Sequence, residues 1–461
     1  MNPMNTRYLG WFGIFRLGLV QTSLGAIVVL TTSTINRIMV VELALPALLP
    51  GLLVGLHYAV QITRPRMGYG SDQGGRRTPW IIGGMLVLGL GGALAAVSTS
   101  LIGAYPVGGL LLAVLAFLMV GLGVGAAGTS LLVLLAKSVA PRYRGAAAST
   151  VWVMMILGFI ITAVIAGKQL EPFSFERLVM VTGSVSIIAF VVTVVAVWGV
   201  ESSVKTPVNS DRSPVDYVEQ DVEKTAEPGG YKVALKNVWD EPDSRRFSVF
   251  VFISMLAYSA QDLILEPFAG AVFGMTPGQS TQLSGTQHGG VLVGMLMVAL
   301  MTSIVGGKIF GSLRHWTMGG CIASACCLLL LAIGGQFSSV FPLKAMVFAL
   351  GLSNGIFAVA AIGSMMDLVG RGARQREGVR MGMWGAAQAI AFGLGGVAAT
   401  MAVDISRMAT GDAAMAYGIV FAVQAVLFVW AAGLARGVYQ PAPEETTGEF
   451  SPGRIALEME G

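Results

Sequence analysis

Charge is scarce in this chain. Asp, Glu, Lys and Arg make up 12% of its 461 residues, about half the share found in a soluble domain. That scarcity excludes an ordinary soluble enzyme or binding module. The three cysteines, Cys321, Cys326 and Cys327, fall together in one apolar run. They cannot form a disulfide framework, and no His or Cys spacing builds a zinc site, so no free metal is expected. The alternating ten-residue segments of a transmembrane barrel are also missing. No cleavable signal is evident: the first apolar run, from Leu17, turns polar near its end at Thr31, Thr32, Ser33 and Thr34, and reads as a retained span.

What the chain does contain is hydrocarbon. Residues of hydrophobic type make up 54%, and runs of about 20 apolar residues, enough to cross a bilayer, recur throughout. The expected spans are 17–36, 46–63, 80–99, 107–136, 146–166, 178–199, 247–270, 287–306, 317–335, 342–366, 381–403 and 413–435. The fold class is therefore an all-α polytopic membrane protein with twelve transmembrane helices. Sixteen Lys and Arg residues fall on the side of the termini, among them Arg7, Arg16, Arg76, Arg77, Lys137 and Arg436. Five fall opposite: Arg37, Lys168, Arg177, Lys344 and Arg407. That asymmetry puts both termini in the cytoplasm.

One long loop, 200–246, separates an N-terminal six-helix half (1–199) from a C-terminal one (247–439). Four prolines and mixed charge make its first part a flexible linker. Tyr231, Leu235, Val238 and Trp239 then have the spacing of a short amphipathic helix, lying on the cytoplasmic membrane surface or packed on the bundle. The tail from 440 to 461 is acidic and is expected to be disordered. The halves echo each other, Gly121-Leu-Gly-Val-Gly125 matching Gly351-Leu-Ser-Asn-Gly355. Two parallel repeats around a central cavity are the expected layout.

Two charges break the span from Phe247 to Phe273: Asp262 and Glu266. A carboxylate in a bilayer costs roughly 2.5–3.5 kcal/mol, so it faces a partner, a cavity or a ligand. Four residues apart, the two acids share one helix face. Pro267 follows at once and deprives the Leu263 carbonyl of its helical donor. With Gln261 beside them, these acids form either an interhelical pair or a polar anchor for a ligand. His57, deep in the second span between Gly55 and Ala59, is a candidate ligand-binding side chain, or else a histidine bonded to another helix. His288 is the weaker alternative, and His315 sits in a basic loop. Asn354 and Gln388 are expected to line the cavity. The glycine-rich third and fourth spans allow close helix packing.

The loop Gly68-Tyr-Gly-Ser-Asp72-Gln-Gly-Gly75-Arg76-Arg77 resembles the signature loop of the major facilitator superfamily. Gly68, Asp72, Gly75, Arg76 and Arg77 would form a conformational latch there, Asp72 capping a helix and pairing with arginine. The counterpart Gly307-Lys-Ile-Phe-Gly311-Ser-Leu-Arg314 has glycine in place of the aspartate. Two further segments narrow the likeness: Arg16-Leu-Gly-Leu-Val-Gln21 through Asn36-Arg37 to Glu42, and Gln261-Asp262 to Glu266-Pro267-Phe268. With twelve spans they resemble the bacteriochlorophyll delivery (PucC/LhaA) family, closest to the branch encoded with late bacteriochlorophyll genes.

That resemblance implies a non-enzymatic carrier or assembly factor in the bacterial inner or intracytoplasmic photosynthetic membrane. Its ligand would be bacteriochlorophyll or a precursor, with His57 a candidate ligand for the pigment magnesium and the glycine-rich third and fourth spans a candidate flat surface for the macrocycle. Its partners would be bacteriochlorophyll synthase and other late pigment enzymes, or light-harvesting polypeptides, with membrane lipids around it and no nucleic acid. The alternative is a proton-coupled secondary transporter of a small solute, with Asp262 or Glu266 as the proton site. An enzyme handling prenyl diphosphate would need facing aspartate clusters to hold magnesium, and Asp240-Glu-Pro-Asp243 is a single one.

Overall fold

The computed structural model describes residues 8–63, 76–140, 143–203, 236, 239–302, 312–371 and 377–438. All regular structure among them is helical. In chain order the long helices are α1 (Trp11–Glu42), α2 (Leu48–Val60), α3 (Thr78–Ile102), α4 (Pro106–Ser138), α5 (Arg144–Gln169) and α6 (Phe175–Val197). Then come α7 (Pro242–Phe273), α8 (Pro277–Leu300), α9 (Leu313–Gly334), α10 (Leu343–Arg371), α11 (Glu377–Thr410) and α12 (Ala413–Val438). Eleven of these carry stretches long and apolar enough to cross a bilayer, while α2 is shorter, at 13 residues. Leu111, Ile187, Leu296 and Val426 point outward, giving the bundle an apolar exterior suited to lipid. The latch residues Gly68, Asp72 and Gly75 lie outside the described residues, as do Tyr231, Leu235 and Val238, most of the 307–314 loop and the acidic tail.

The helices end where local chemistry stops them. Gly274 takes a left-handed φ of 66° after α7, and its N–H returns to the Gly270 carbonyl at 3.2 Å, a glycine C-terminal stop. Thr276 and Gln279 form a reciprocal capping box at the start of α8. Glu201, in a helical turn after α6, accepts from the backbone N–H groups of Arg77 (2.8 Å) and Thr78 (3.1 Å) at the head of α3. Arg77 is buried and Arg76 exposed. Within each half, small residues let helices touch. A Cβ on Gly121 would lie 2.7 Å from the His57 carbonyl oxygen, and one on Gly351 would lie 2.0 Å from that of Gln287. The matched glycine segments thus play matched roles, packing α4 on α2 and α10 on α8.

The first span differs from its expected 17–36 range. It runs on to Glu42 through two π-helical stretches, Leu30–Thr34 and Ile38–Glu42, flanking the turn Ile35–Arg37. Arg37, read from sequence as a loop charge, therefore lies inside the bundle with 1% exposure. The reason is that its charge is matched there: Nη1 reaches Glu42 Oε1 at 2.5 Å and Nη2 the Met275 carbonyl at 2.5 Å. Similarly, α7 begins at Pro242, several residues before the expected 247.

Polar bonds join the halves on the side opposite the chain ends. Asn36 Nδ2 of α1 donates to the Leu263 carbonyl of α7 at 2.6 Å, the carbonyl that Pro267 leaves without a helical donor. Thr34 and Thr281 share a hydroxyl hydrogen bond of 2.9 Å. Asp404 of α11 accepts from Ala47 N–H (2.8 Å) and Leu48 N–H (2.7 Å), capping α2 from across the interface. An Asn36→Leu substitution strands a buried carbonyl, at a cost of about 1–3 kcal/mol, and should lower the melting temperature in detergent. Gly351→Val should lower it too, because α8 and α10 must separate, whereas Gly319→Ala, whose Cβ meets nothing within 4 Å, should leave it unchanged.

Candidate functional site

Between the halves lies a cavity of about 390 Å³, within the usual range for small-molecule sites. Its walls come from α1, α2, α4 and α5 of the first half and α7, α8 and α11 of the second. The exposed Trp152 and Leu132 stand on the side of the chain ends, while the cross-half bonds close the opposite side. The cavity therefore opens toward the termini.

Aromatic side chains give the wall most of its character. Tyr58 packs on Phe392 with centroids 5.5 Å apart, and Phe392 on Tyr258 at 6.0 Å, a chain that crosses from α2 through α11 to α7. His57 stands edge-on to Tyr58 at 4.8 Å, and Phe159 edge-on to His288 at the same distance. Such surfaces bury flat apolar ligands well. Most of the polar groups on the wall are neutral, and Asp262 is the one carboxylate among the described lining residues. Asp262 opens onto the cavity and accepts from Gln287 Nε2 at 3.2 Å. Gln388 lines it on the α11 side, and Gln61 Nε2 lies 2.9 Å from His57 Nε2.

Of the residues expected at the site, Asp262, His57 and Gln388 do meet at this wall. Gln261, Glu266 and Asn354 do not line it. Gln261 is fully buried in the helix packing. Asn354 Oδ1 accepts from Ser324 Oγ at 2.9 Å, joining α10 to α9. Glu266 is 2% exposed and lies behind the wall, with Arg37, Ser280 and Ser284 as its polar neighbours. Among the described residues, none makes a hydrogen bond of normal geometry to its two oxygens. The separation of the two acids follows from the 40° between positions four apart on a helix: Asp262 falls at the cavity edge and Glu266 against α1.

Arg37 is the residue that sequence reading misplaced. A Cβ on Gly270 would lie 2.8 Å from its guanidinium, so that glycine makes room for the cation on the last turn of α7, where the helix dipole favours positive charge. The segments carrying the family likeness thus acquire distinct roles. Arg16 caps the end of α6 through the Val195 and Trp198 carbonyls, Gln21 lines the cavity, and Asn36 and Arg37 tie α1 to α7. Among the described residues, no group of three His, Cys, Asp or Glu side chains is placed to hold a bare metal ion. The three cysteines are free.

The fold is that of known transporters. A bacterial homologue of the lysosomal transporter Spinster, solved in an inward-facing unoccupied conformation, superposes with a TM-score of 0.67 at 13% identity, covering 96% of this chain and all of that one. The nucleoside transporter NupG superposes with a TM-score of 0.65 at 12% identity, covering 93% of this chain and 100% of its own.

Sequence relatives are more specific. The chain is 50% identical over 433 residues to the bacteriochlorophyll synthase 44.5 kDa chain of Rhodobacter capsulatus, covering 93% of this chain and 96% of the relative. It is 30% identical over 411 residues to the protein PucC of Cereibacter sphaeroides, covering 85% and 83%. The model of the PUCC protein family matches residues 34–442, a stretch that takes in Asn36, Arg37, His57, Asp262, Glu266 and Asp404. This chain is a multi-pass membrane protein of the PUCC family, built on the twelve-helix transporter fold.

Proposed function

We propose that the protein is a non-enzymatic carrier or assembly factor that holds bacteriochlorophyll or a late precursor in its central cavity. It passes the pigment to light-harvesting polypeptides, or receives it from bacteriochlorophyll synthase and other late pigment enzymes. The observation that carries this reading is the cavity between the halves: Tyr58, Trp152, Phe159, Tyr258 and Phe392 stand on its wall, with one carboxylate, Asp262, and neutral polar groups such as Gln61, His57 and Gln388 among them. A flat, largely apolar macrocycle with a few polar substituents suits such a wall. Relatives named for bacteriochlorophyll synthase and for PucC support the same ligand class.

In this reading both termini face the cytoplasm of a photosynthetic inner or intracytoplasmic membrane, in keeping with the Lys and Arg asymmetry. The halves, 1–199 and 247–439, work as two bodies about the linker 200–246. Gly68, Asp72, Gly75, Arg76 and Arg77 form the cytoplasmic latch between them. Asp262 presents a hydrogen-bond acceptor to the guest, steadied by Gln287. Glu266 serves from behind the wall, balancing Arg37 where α1 meets α7.

A second reading, proton-coupled transport of a small solute, draws on Asp262 being a carboxylate at the cavity edge of a transporter fold. It requires substrate-dependent proton flux in liposomes that disappears in Asp262→Asn. The absence of a cationic cage along the cavity wall makes an anionic solute a poor fit.

Purification from a photosynthetic membrane in mild detergent should yield protein carrying the absorption bands of a bacteriochlorin. A folded, colourless preparation overturns pigment carriage. In the same preparation Asp262→Asn should cut the pigment-to-protein ratio roughly tenfold, the equivalent of one charge-assisted hydrogen bond of about 1.5 kcal/mol. Glu266→Gln, behind the wall, should leave that ratio within about twofold of wild type, a difference under about 0.5 kcal/mol.

A further inference from the structure

His57 and His288 both line the cavity, but their ring nitrogens are placed differently. His57 is 1% exposed, and its Nε2 is engaged with Gln61 Nε2 at 2.9 Å. That bond occupies the Nε2 lone pair, or the proton that replaces it, and the other ring nitrogen, Nδ1, is buried away from any guest. His288 is turned the other way. Its Nδ1 lies 2.9 Å from the Ser284 carbonyl one helical turn earlier. A carbonyl oxygen only accepts, so Nδ1 carries the proton and Nε2 of the neutral ring keeps its lone pair.

No hydrogen bond from any described residue reaches that Nε2. The ring is fixed on its other side by edge-on contact with Phe159, at 4.8 Å and 67°. Donation of the second ring N–H to a backbone carbonyl is the arrangement that orients metal-binding histidines and raises their basicity. One residue earlier, Gln287 holds Asp262 of α7, so one turn of α8 presents the nitrogen donor and steadies a carboxylate that faces the same space.

We infer that His288 Nε2 is the axial ligand for the central metal of a metallotetrapyrrole in the cavity, and that His57 is not. The inference rests on the pigment reading given above and adds to it the atom that recognises the metal. Nε2 donates its lone pair to a square-planar metal with an open fifth position. No proton moves and nothing is oxidised or reduced. The consequence is selectivity: the cavity distinguishes a metallated macrocycle from its metal-free counterpart, which an aromatic wall alone cannot do, because both have the same shape and the same π-faces.

The test uses the purified full-length protein titrated with zinc bacteriopheophorbide and with metal-free bacteriopheophorbide, followed by absorption and by resonance Raman bands that report zinc coordination number. Wild type should bind the zinc form about 10-fold or more tightly than the free base, losing a ligand costing at least as much as losing its support, with a five-coordinate signature. His288→Gly should abolish both the preference and the signature, and added imidazole should restore them. That rescue separates ligation from a fold defect. His57→Leu should weaken both probes together and keep their ratio.

A zinc preference that survives in His288→Gly overturns the inference. So does equal binding of the two probes to wild type, which leaves the pigment reading standing. Failure of both probes to bind wild type overturns the pigment reading itself.

Discussion

Hydrocarbon surroundings tolerate no unmatched backbone dipole, and the architecture turns on how that demand is met at Pro267. The proline removes a donor in the middle of α7, and the orphaned Leu263 carbonyl is satisfied by Asn36 from the other half of the molecule. One residue on, Arg37 sits on the last turn of the same helix, over Gly270, matched by Glu42. A defect in one helix thereby becomes a bond between halves. The π-helical stretches on either side of Ile35–Arg37 allow α1 to present both polar side chains to one neighbour, a known use of such irregular turns.

The same economy holds elsewhere along the interface. Asp404 sits in an apolar stretch of α11 and would be costly alone, yet two backbone N–H groups at the head of α2 receive it. Because these fastenings lie on one side of the bilayer, the halves diverge on the other, and the cavity opens there. Its aromatic and polar lining then follows from which faces of α1, α2, α4, α5, α7, α8 and α11 remain uncovered by helix packing. Function in this molecule grows out of where the two halves cannot touch.

Much of this was legible in the sequence. Runs of apolar residues located all twelve helices, because the bilayer demands an apolar stretch of similar length from each span, but several ends were off: α8 begins at Pro277, ten residues before the expected 287, and α1 runs on to Glu42. The Asp262–Glu266–Pro267 cluster marked the helix that matters, since carboxylates and a proline are conspicuous in hydrocarbon. Pairing across the halves was not legible. Asn36 and Arg37 stood near the end of an apolar run and looked like the start of a loop. Asp404 falls just past the expected end of its span at 403, and nothing in its spacing marks a partner in the other half. Whether an acid such as Glu266 faces a cavity or a neighbouring helix depends on a rotation of tens of degrees, which spacing alone does not fix. His57 and His288 looked unequal in the opposite sense from the one their ring nitrogens support, because tautomers are set by partners four residues away.

Glu201 carries a consequence for how the molecule could be taken apart. By gripping the amide groups of Arg77 and Thr78, it ties the tail of the sixth helix to the head of the third before the long interhelical segment begins. The amino-terminal bundle thus owns its closing clasp. Cutting the polypeptide beyond Ser203 leaves that clasp whole, which makes this the natural seam for expressing the molecule as two complementary fragments.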